Sequence, residues 1–223
     1  HARLEKILLT GSGGPFLHSS REEMQAATRE QALNHPRWKM GAKVTIDSAS
    51  LMNKGLELIE ARWLFDVDPG DIEVVIHPQS IIHSMVQFSD GCVMAQLSQP
   101  DMRLPIQYAL SYPSRLDLNT RRLDFAALGH LDFEKPDLER FPCLGLAYEA
   151  LARGGNATCA MNGANEVAVA AFLEGKIRFT DIPRLIEKVT SRCSFVANPD
   201  LEQIYCTDFE AKRIASEIIN GGC

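Results

Sequence analysis

Asp47–Phe65 reads DSASLMNKGLELIEARWLF, and this stretch decides the fold around it because it changes from polar residues to a helix-periodic pattern. At about 100° per residue, one stripe of the predicted helix collects its large apolar side chains. We expect that stripe to face the protein core. Its members are Met52, Leu56, Ile59 and Trp63.

The other side of this helix is polar, and Asn53, Lys54, Glu57 and Glu60 share it within roughly 120°. Ser48 and Ser50 precede the first turn, where hydroxyl groups cap free amides and the positive end of the helix dipole lies. Together with Lys54, these groups predict a site for an anion such as phosphate. The alternative is a solvated Lys54–Glu57 ion pair, which contributes only a few tenths of a kcal/mol.

Gly55 lies inside the first turns of this otherwise strong helix. Glycine in a helix interior costs about 1 kcal/mol relative to alanine. A glycine at this place therefore indicates that another group approaches the backbone closely.

Two loops upstream add to the anion site. Lys6–Thr10 reads as a strand and runs into Gly11-Ser12-Gly13-Gly14, which can present amides and a hydroxyl to an anion. The loop is neither GxGxxG nor a P-loop, so a plain tight turn remains the alternative. The segment HPRWKMG at 35–41 resembles a mobile flap, although its tryptophan can equally anchor a static loop. Lys43–Asp47 is predicted to be a second short strand.

Composition limits the class of protein. The 223 residues carry a formal net charge of −6, with 45% hydrophobic and 23% charged residues. This acidic balance argues against nucleic acid and anionic membranes as partners. No apolar run approaches the roughly 18 residues needed to cross a bilayer. The six cysteines form no CxxC pair and predict reduced, mostly buried thiols.

The remaining patterns predict an α+β domain with a mixed sheet, followed by a small all-α bundle. Strands are expected at 71–78, 83–89 and 92–98, the last two joined by an Asp90-Gly91 hairpin turn. A helix follows at 100–112. Helix-period stripes then cover 143–153, 162–174, 180–192 and 208–219. We place the first domain at 1–111, a linker at 112–137 and the helical domain at 138–223.

Several strings together are similar to the 1-deoxy-D-xylulose 5-phosphate reductoisomerase family. They are LLTGSGGPF, HPRWKMG, IDSASLMNKGLELIEARWLF, IHPQSIIHSMVQFSDG, PDMRLPIQYAL and MNGANEVAVAAFL. The resemblance covers nearly the full chain. It implies an NADPH-dependent oxidoreductase and isomerase of non-mevalonate isoprenoid biosynthesis that uses Mg²⁺ or Mn²⁺. It also implies a homodimer located in a bacterial cytoplasm or a plastid stroma.

The resemblance also assigns roles to individual residues. Phosphate would be held by Ser12, His35, Ser48 and Asn53. Lys54 would contact the substrate oxygens, and Glu57 would be a metal ligand; both are assigned to catalysis. Trp38 and Met40 would belong to a closing flap over the substrate, and Gly11 and Met40 would face the cofactor. Glu60 and His83 match polar positions near the site.

Two expected parts of the family pattern are missing from the sequence. It contains no dinucleotide-binding domain and no acidic Asp-Ser-Glu segment to supply further metal ligands. We therefore expect the C-terminal portion of a reductoisomerase, inactive by itself, in which the strand at 6–10 lacks neighbours. The alternatives are a phosphosugar-binding module without catalysis and a dimerisation fragment pairing through Ile72–Ser98.

Overall fold

A four-stranded mixed sheet forms one layer of the computed structural model, which describes residues 3–221. Its strand order is β2-β1-β3-β4. The strands are β1 (Leu4–Gly11), β2 (Ile72–Ile76), β3 (Ile82–Phe88) and β4 (Val93–Leu97). The hairpin between β3 and β4 turns at Gly91, whose φ of +83° suits a residue without a side chain.

Two groups of helices accompany the sheet, and the second group forms a bundle, which confirms the predicted fold class. The first group is α1 (Arg21–Gln25), α2 (Arg29–Leu33), α3 (Ala42–Ala49), α4 (Met52–Phe65), α5 (Arg103–Ser111) and α6 (Phe125–Leu128). The bundle is α7 (Pro142–Arg153), α8 (Ala157–Leu173), α9 (Asp181–Arg192) and α10 (Leu201–Asn220). Helices α8 and α10 begin five and seven residues before the apolar periodicity predicts, α10 behind a capping box on Asp200.

The expectation that the first strand lacks neighbours is wrong. Strand β1 lies inside the sheet, parallel to β2 on one side and antiparallel to β3 on the other. Its alternating residues Ile7 and Leu9 are buried. Both neighbours follow β1 in the chain by more than sixty residues, so local sequence could not reveal the pairing.

The predicted strand at Lys43–Asp47 is also wrong, because these residues form α3. The β-branched run favoured a strand, but Thr45, Ile46, Asp47 and Ala49 are buried as part of a helix. The Thr45 hydroxyl donates to the Gly41 carbonyl, and Lys43 pairs with Asp47 one turn later. Tertiary packing therefore overrides the local preference.

Helix α4 buries a different stripe from the one that its large side chains predict. Met52 is buried, but Leu56 and Ile59 are only half-buried, and Trp63 is 72% exposed. The face toward the core carries Leu58 together with the small residues Gly55 and Ala61. The reason is the close approach of α7, because a Cβ added to Gly55 would lie 2.5 Å from the Ala147 Cβ. The close approach inferred for Gly55 is thus to a helix.

We expect Gly55→Ala to lower the free energy of unfolding by about 1–3 kcal/mol, because the added methyl group overpacks the α4–α7 contact. Gly145→Ala is the matched control, since nothing lies within 4 Å of the Cβ that it adds to α7. Helix propensity makes this control neutral or stabilising by up to about 1 kcal/mol. Urea denaturation measures both variants, and equal stabilities would contradict the close α4–α7 contact.

Buried apolar residues of the sheet layer and the bundle form one continuous core, from Ile7 to Ile218. The division at 112–137 stays a prediction. Cys143 and Cys193 are buried, and burial raises their thiol pKa values to about 12 and about 11. Cys92 and Cys206 are exposed, so the prediction of mostly buried thiols is wrong for these two; Cys223 lies outside the described residues. Among residues 3–221, no helix is long and apolar enough to cross a bilayer.

Candidate functional site

A cleft of about 440 Å³ opens where β1, the loop around residue 38, the α3–α4 junction and the start of β3 meet. It contains every residue that the sequence assigned to substrate, cofactor, metal or catalysis. These are Gly11, Ser12, His35, Trp38, Met40, Ser48, Asn53, Lys54 and Glu57. Their placement is thereby established, while their roles stay predictions.

The α3–α4 junction brings Ser48 and Asn53 to the same wall. Leu51 joins the two helices with φ of +60°, a left-handed conformation that is rare for a branched side chain. The prediction that Ser48 caps α4 is wrong, because Ser48 belongs to the last turn of α3. Ser50 accepts only a long 3.4 Å hydrogen bond from the Met52 amide. The first residues of α4 therefore face the cleft without a side-chain cap.

The glycine loop after β1 packs directly on the end of α3. Gly13 and Gly14 have φ of +82° and +69°, which glycine adopts without strain. A Cβ on Gly14 would lie 2.7 Å from the Ser48 carbonyl oxygen, so no larger residue fits there. This contact holds Ser12 and Ser48 on adjacent walls of the cleft.

Lys54 and Glu57 form the charged end of the cleft. The Lys54 Nζ donates to Glu57 Oε2 at 2.5 Å, and the Asn53 Nδ2 donates to Glu57 Oε1 at 2.7 Å. The Lys54 side chain is 8% exposed and that of Glu57 32%. Lys54 is therefore a buried cation in the cleft wall, and the alternative of a fully solvated pair is wrong. Its stem also lies against Gly11, where a Cβ would be 3.1 Å from Cε.

Two family models match the chain. Residues 97–214 match the DXP reductoisomerase C-terminal domain, and residues 1–65 match the 1-deoxy-D-xylulose 5-phosphate reductoisomerase C-terminal domain. The chain belongs to the 1-deoxy-D-xylulose 5-phosphate reductoisomerase family. The first match alone spans more than half of the residues, and the second contains most of the cleft.

Similar reductoisomerases support the assignment. The enzyme of Bacteroides thetaiotaomicron is 58% identical over 97% of this chain, and that of Acetivibrio thermocellus is 57% identical over 96%. The solved reductoisomerase of Zymomonas mobilis in complex with NADPH has a TM-score of 0.91 and 45% identity over 99% of this chain. A reductoisomerase with NADPH, fosmidomycin and magnesium has a TM-score of 0.93 and 44% identity over 98%.

The match is one-sided in length. This chain spans 55% and 56% of the two bacterial relatives, and 57% and 56% of the two solved structures. It therefore covers about half of the reductoisomerases that it resembles, in agreement with family models that describe C-terminal domains.

Within the cleft, His35 joins the glycine loop to the predicted flap. Its Nδ1 accepts hydrogen bonds from the amides of Arg37, at 3.1 Å, and Trp38, at 2.9 Å. A ring nitrogen that accepts two N–H groups carries no proton, so the hydrogen of the neutral ring is on Nε2. Nε2 then donates to Ser12 Oγ at 3.0 Å. One neutral imidazole thus shapes both the turn that carries Trp38 and the orientation of the Ser12 hydroxyl.

Partial burial lowers the pKa of His35 below its ordinary value of 6.5. Because only the neutral ring can accept the two amides, its contribution to this turn is present above pH 6.5 and is lost as pH falls through the lowered pKa. We expect the ring and the Arg37 and Trp38 amides to titrate together, with a midpoint below 6.5, in an NMR pH series. A midpoint above 6.5, or amides that do not follow the ring, would contradict this arrangement.

Of the two polar residues expected near the site, only one lines the cleft. His83 lines the cleft, where burial and then the Lys54 ammonium group lower the pKa of its ring. Glu60 does not line this cleft and faces a separate groove beside Trp63. Sequence reasoning did not assign Met102, although it lies in the quoted PDMRLP string.

The imidazole of His77, which also lines the cleft, has a hydrogen-bond partner at each ring nitrogen. It is fully buried, its Nε2 accepts from the Ile81 amide, and its Nδ1 lies 2.8 Å from the Asp132 carbonyl oxygen. The ring also stacks on Phe133. His77 therefore anchors the connector beside the cleft, which no local sequence pattern signals.

Proposed function

We propose that the complete gene product converts 1-deoxy-D-xylulose 5-phosphate to 2-C-methyl-D-erythritol 4-phosphate, with NADPH and Mg²⁺ or Mn²⁺. The observation that carries the proposal is one cleft that contains both the candidate phosphate donors and the Lys54–Glu57 pair. Family membership supplies the reaction, and the cleft supplies residues of the chemical types that it needs.

The phosphate end of the substrate is bound by hydroxyl and amide groups, and His35 acts through the Ser12 hydroxyl because both of its ring nitrogens already have partners. Ser12 Oγ accepts hydrogen bonds from the Gly14 amide, at 3.3 Å, and from His35 Nε2. With two donors already on this oxygen, its own hydrogen is free to point at an anion. Ser48 and Asn53 add donors from the other wall. These contacts bind the substrate at its phosphate, away from the reacting carbons, and so orient those carbons in the cleft.

The reacting end lies against Lys54. A buried ammonium group stabilises negative charge on the substrate oxygens more strongly than a solvated one, because little water screens it. Glu57 holds Lys54 in place at 2.5 Å before substrate arrives. Trp38 and Met40 stand at the same cleft and, by closing over bound substrate, would exclude water from the aldehyde formed on rearrangement.

The described residues do not complete a divalent-cation site. They contain no group of three or more histidine, cysteine, aspartate or glutamate side chains arranged around one point. Mg²⁺ requires about six oxygen ligands, and Glu57 offers one carboxylate. We assign Glu57 as one ligand and the others to further parts of the gene product. The glycine loop likewise lacks the dinucleotide fingerprint, so Gly11 and Met40 would touch only the reactive end of NADPH.

We propose a homodimer whose interface includes the edge strand β4. Within residues 3–221, β4 pairs with β3 alone, and Met94 on it is 60% exposed. Helix α5 adds Ile106 and the 85% exposed Leu110. Exposed apolar side chains and an unpaired strand edge on a folded protein favour burial against a partner. Sedimentation equilibrium of the gene product measures the mass, and a monomer would refute this proposal.

An assay of the complete gene product tests the reaction. We expect oxidation of NADPH that depends on both 1-deoxy-D-xylulose 5-phosphate and a divalent cation, with inhibition by fosmidomycin. If the protein binds the sugar phosphate but oxidises no NADPH, it is a binding module instead. If it does neither and only dimerises, the cleft is no reductoisomerase site.

A further inference from the structure

A buried polar pair joins α3, which carries Ser48, to α8 of the bundle. Asp47 is 1% exposed and Asn165 is fully buried. The Asn165 Nδ2 donates to Asp47 Oδ1 at 2.9 Å. The other carboxylate oxygen of Asp47 pairs with Lys43 Nζ at 2.5 Å. A side chain from the middle of α8 thus supplies half of the bonding of an aspartate on α3.

Asp47 directly precedes Ser48, so any rotation of this turn of α3 moves the Ser48 hydroxyl. The glycine loop is affected as well, because Gly14 packs against the Ser48 carbonyl. Both serines assigned to the phosphate therefore depend on how the end of α3 is oriented. The Asn165–Asp47 hydrogen bond is a directional contact between this end and the bundle.

The Asn165–Asp47 pair does not give the highest stability that this buried location allows. Asn165 Oδ1 is buried and has no hydrogen-bond partner among the described residues. Turning the amide over would place this oxygen against the Asp47 carboxylate, where two acceptors repel each other. Apolar residues of similar volume often stabilise such a location as well or better. A hydrogen bond, unlike an apolar contact, restricts the angle at which two helices meet.

We propose that Asn165 is a positioning residue, through which the C-terminal bundle fixes the phosphate-binding end of α3. It acts through Asp47 and touches no substrate itself. The bundle is then part of the binding machinery as well as a support for the core. This inference rests on the proposed function, because it presumes that Ser48 and Ser12 bind the substrate phosphate.

The test compares Asn165→Leu with Asn162→Leu in the complete gene product. Asn162 lies on the same helix one turn earlier and bonds to Glu166 instead of Asp47. For Asn165→Leu we expect KM for the sugar phosphate and Kd for inorganic phosphate to rise about tenfold, which is the effect of one well-oriented hydrogen bond. We expect kcat to stay within about threefold, since Lys54 and Glu57 are undisturbed. Asn162→Leu should match wild type.

Two further variants separate positioning from stability. Asp47→Asn keeps an acceptor for Asn165 and should largely preserve phosphate affinity. The double variant Asp47→Leu/Asn165→Leu removes both buried polar groups, so it should melt no lower than Asn165→Leu yet retain the raised KM. A double variant whose KM and phosphate Kd equal those of wild type would overturn the proposal. An Asn165→Leu variant whose kcat falls by the same factor as its KM rises would also overturn it.

The wild-type measurement separates this inference from the function on which it rests. If the wild-type protein binds no phosphate and turns over no sugar phosphate, the proposed function is wrong and the positioning role falls with it. If wild type binds phosphate and Asn165→Leu binds it equally well, only the positioning role is wrong.

Discussion

Lys54→Met should lower kcat/KM of the complete gene product by about 10²–10³-fold, the usual effect of removing one preorganised group that stabilises developing charge. Methionine approximately keeps the volume of the buried stem against Gly11 and removes only the ammonium group. Glu57 keeps its hydrogen bond from Asn53, and its side chain is 32% exposed, so the released carboxylate retains solvation. We therefore expect a loss of only about 1 kcal/mol in the free energy of unfolding.

Steady-state kinetics and thermal melting measure these two effects separately. Lys6→Met is the matched control, because Lys6 also pairs with a glutamate, Glu73 at 3.0 Å, but on the exposed surface of the sheet. Its activity should equal that of wild type. Activity of Lys54→Met within a few-fold of wild type would refute the assignment of Lys54. A Lys54→Met protein that is unfolded at the assay temperature would show that the ion pair is needed for stability.

Glu57→Gln should also lower turnover by about 10²-fold or more, and should raise the metal concentration needed for half-maximal activity by at least about tenfold. Glutamine keeps the shape: its single amide oxygen accepts from Lys54, and the Asn53 amide turns over to accept from the new NH2 group, so the cleft stays assembled. Only the negative charge that a hard cation needs is lost. The rise in metal requirement distinguishes a ligand from a residue that merely holds Lys54.

Titration of Mg²⁺ and Mn²⁺ at saturating substrate measures this requirement, with Glu73→Gln as the control on the exposed Lys6–Glu73 pair. If kcat falls while the metal dependence is unchanged, Glu57 acts only through Lys54. If neither quantity moves, Glu57 has no part in the reaction.

Much of the secondary structure followed from local patterns. The β3–β4 hairpin was predicted from Asp90-Gly91 between alternating apolar runs, and α7 and α9 end at the residues that their periodicity indicates. The errors have a common origin in distant contacts. The β-branched residues of α3 favoured a strand in the sequence. In the structure, packing from other elements buries these residues within a helix.

The cleft was predictable because its residues belong to a few dense polar strings near glycines. Two cleft residues that the sequence did not indicate, His77 and Leu51, are placed there by tertiary structure. His77 enters through a buried network with the connector, and Leu51 through a left-handed turn between two helices. Neither feature has a local signature, since both depend on which segment lies opposite.

The sequence by itself determined the class of fold through residue type and near spacing, and its resemblance to the reductoisomerase family indicated the residues that meet at the site. Only the tertiary structure decided that Lys54 is buried, that β1 lies between β2 and β3, and that α4 turns Gly55 rather than Trp63 toward the core. The physical reason is that burial depends on which distant element packs against a residue. Apolar periodicity identifies a helix face that can be buried. The shape of the opposing helix then selects which face is buried.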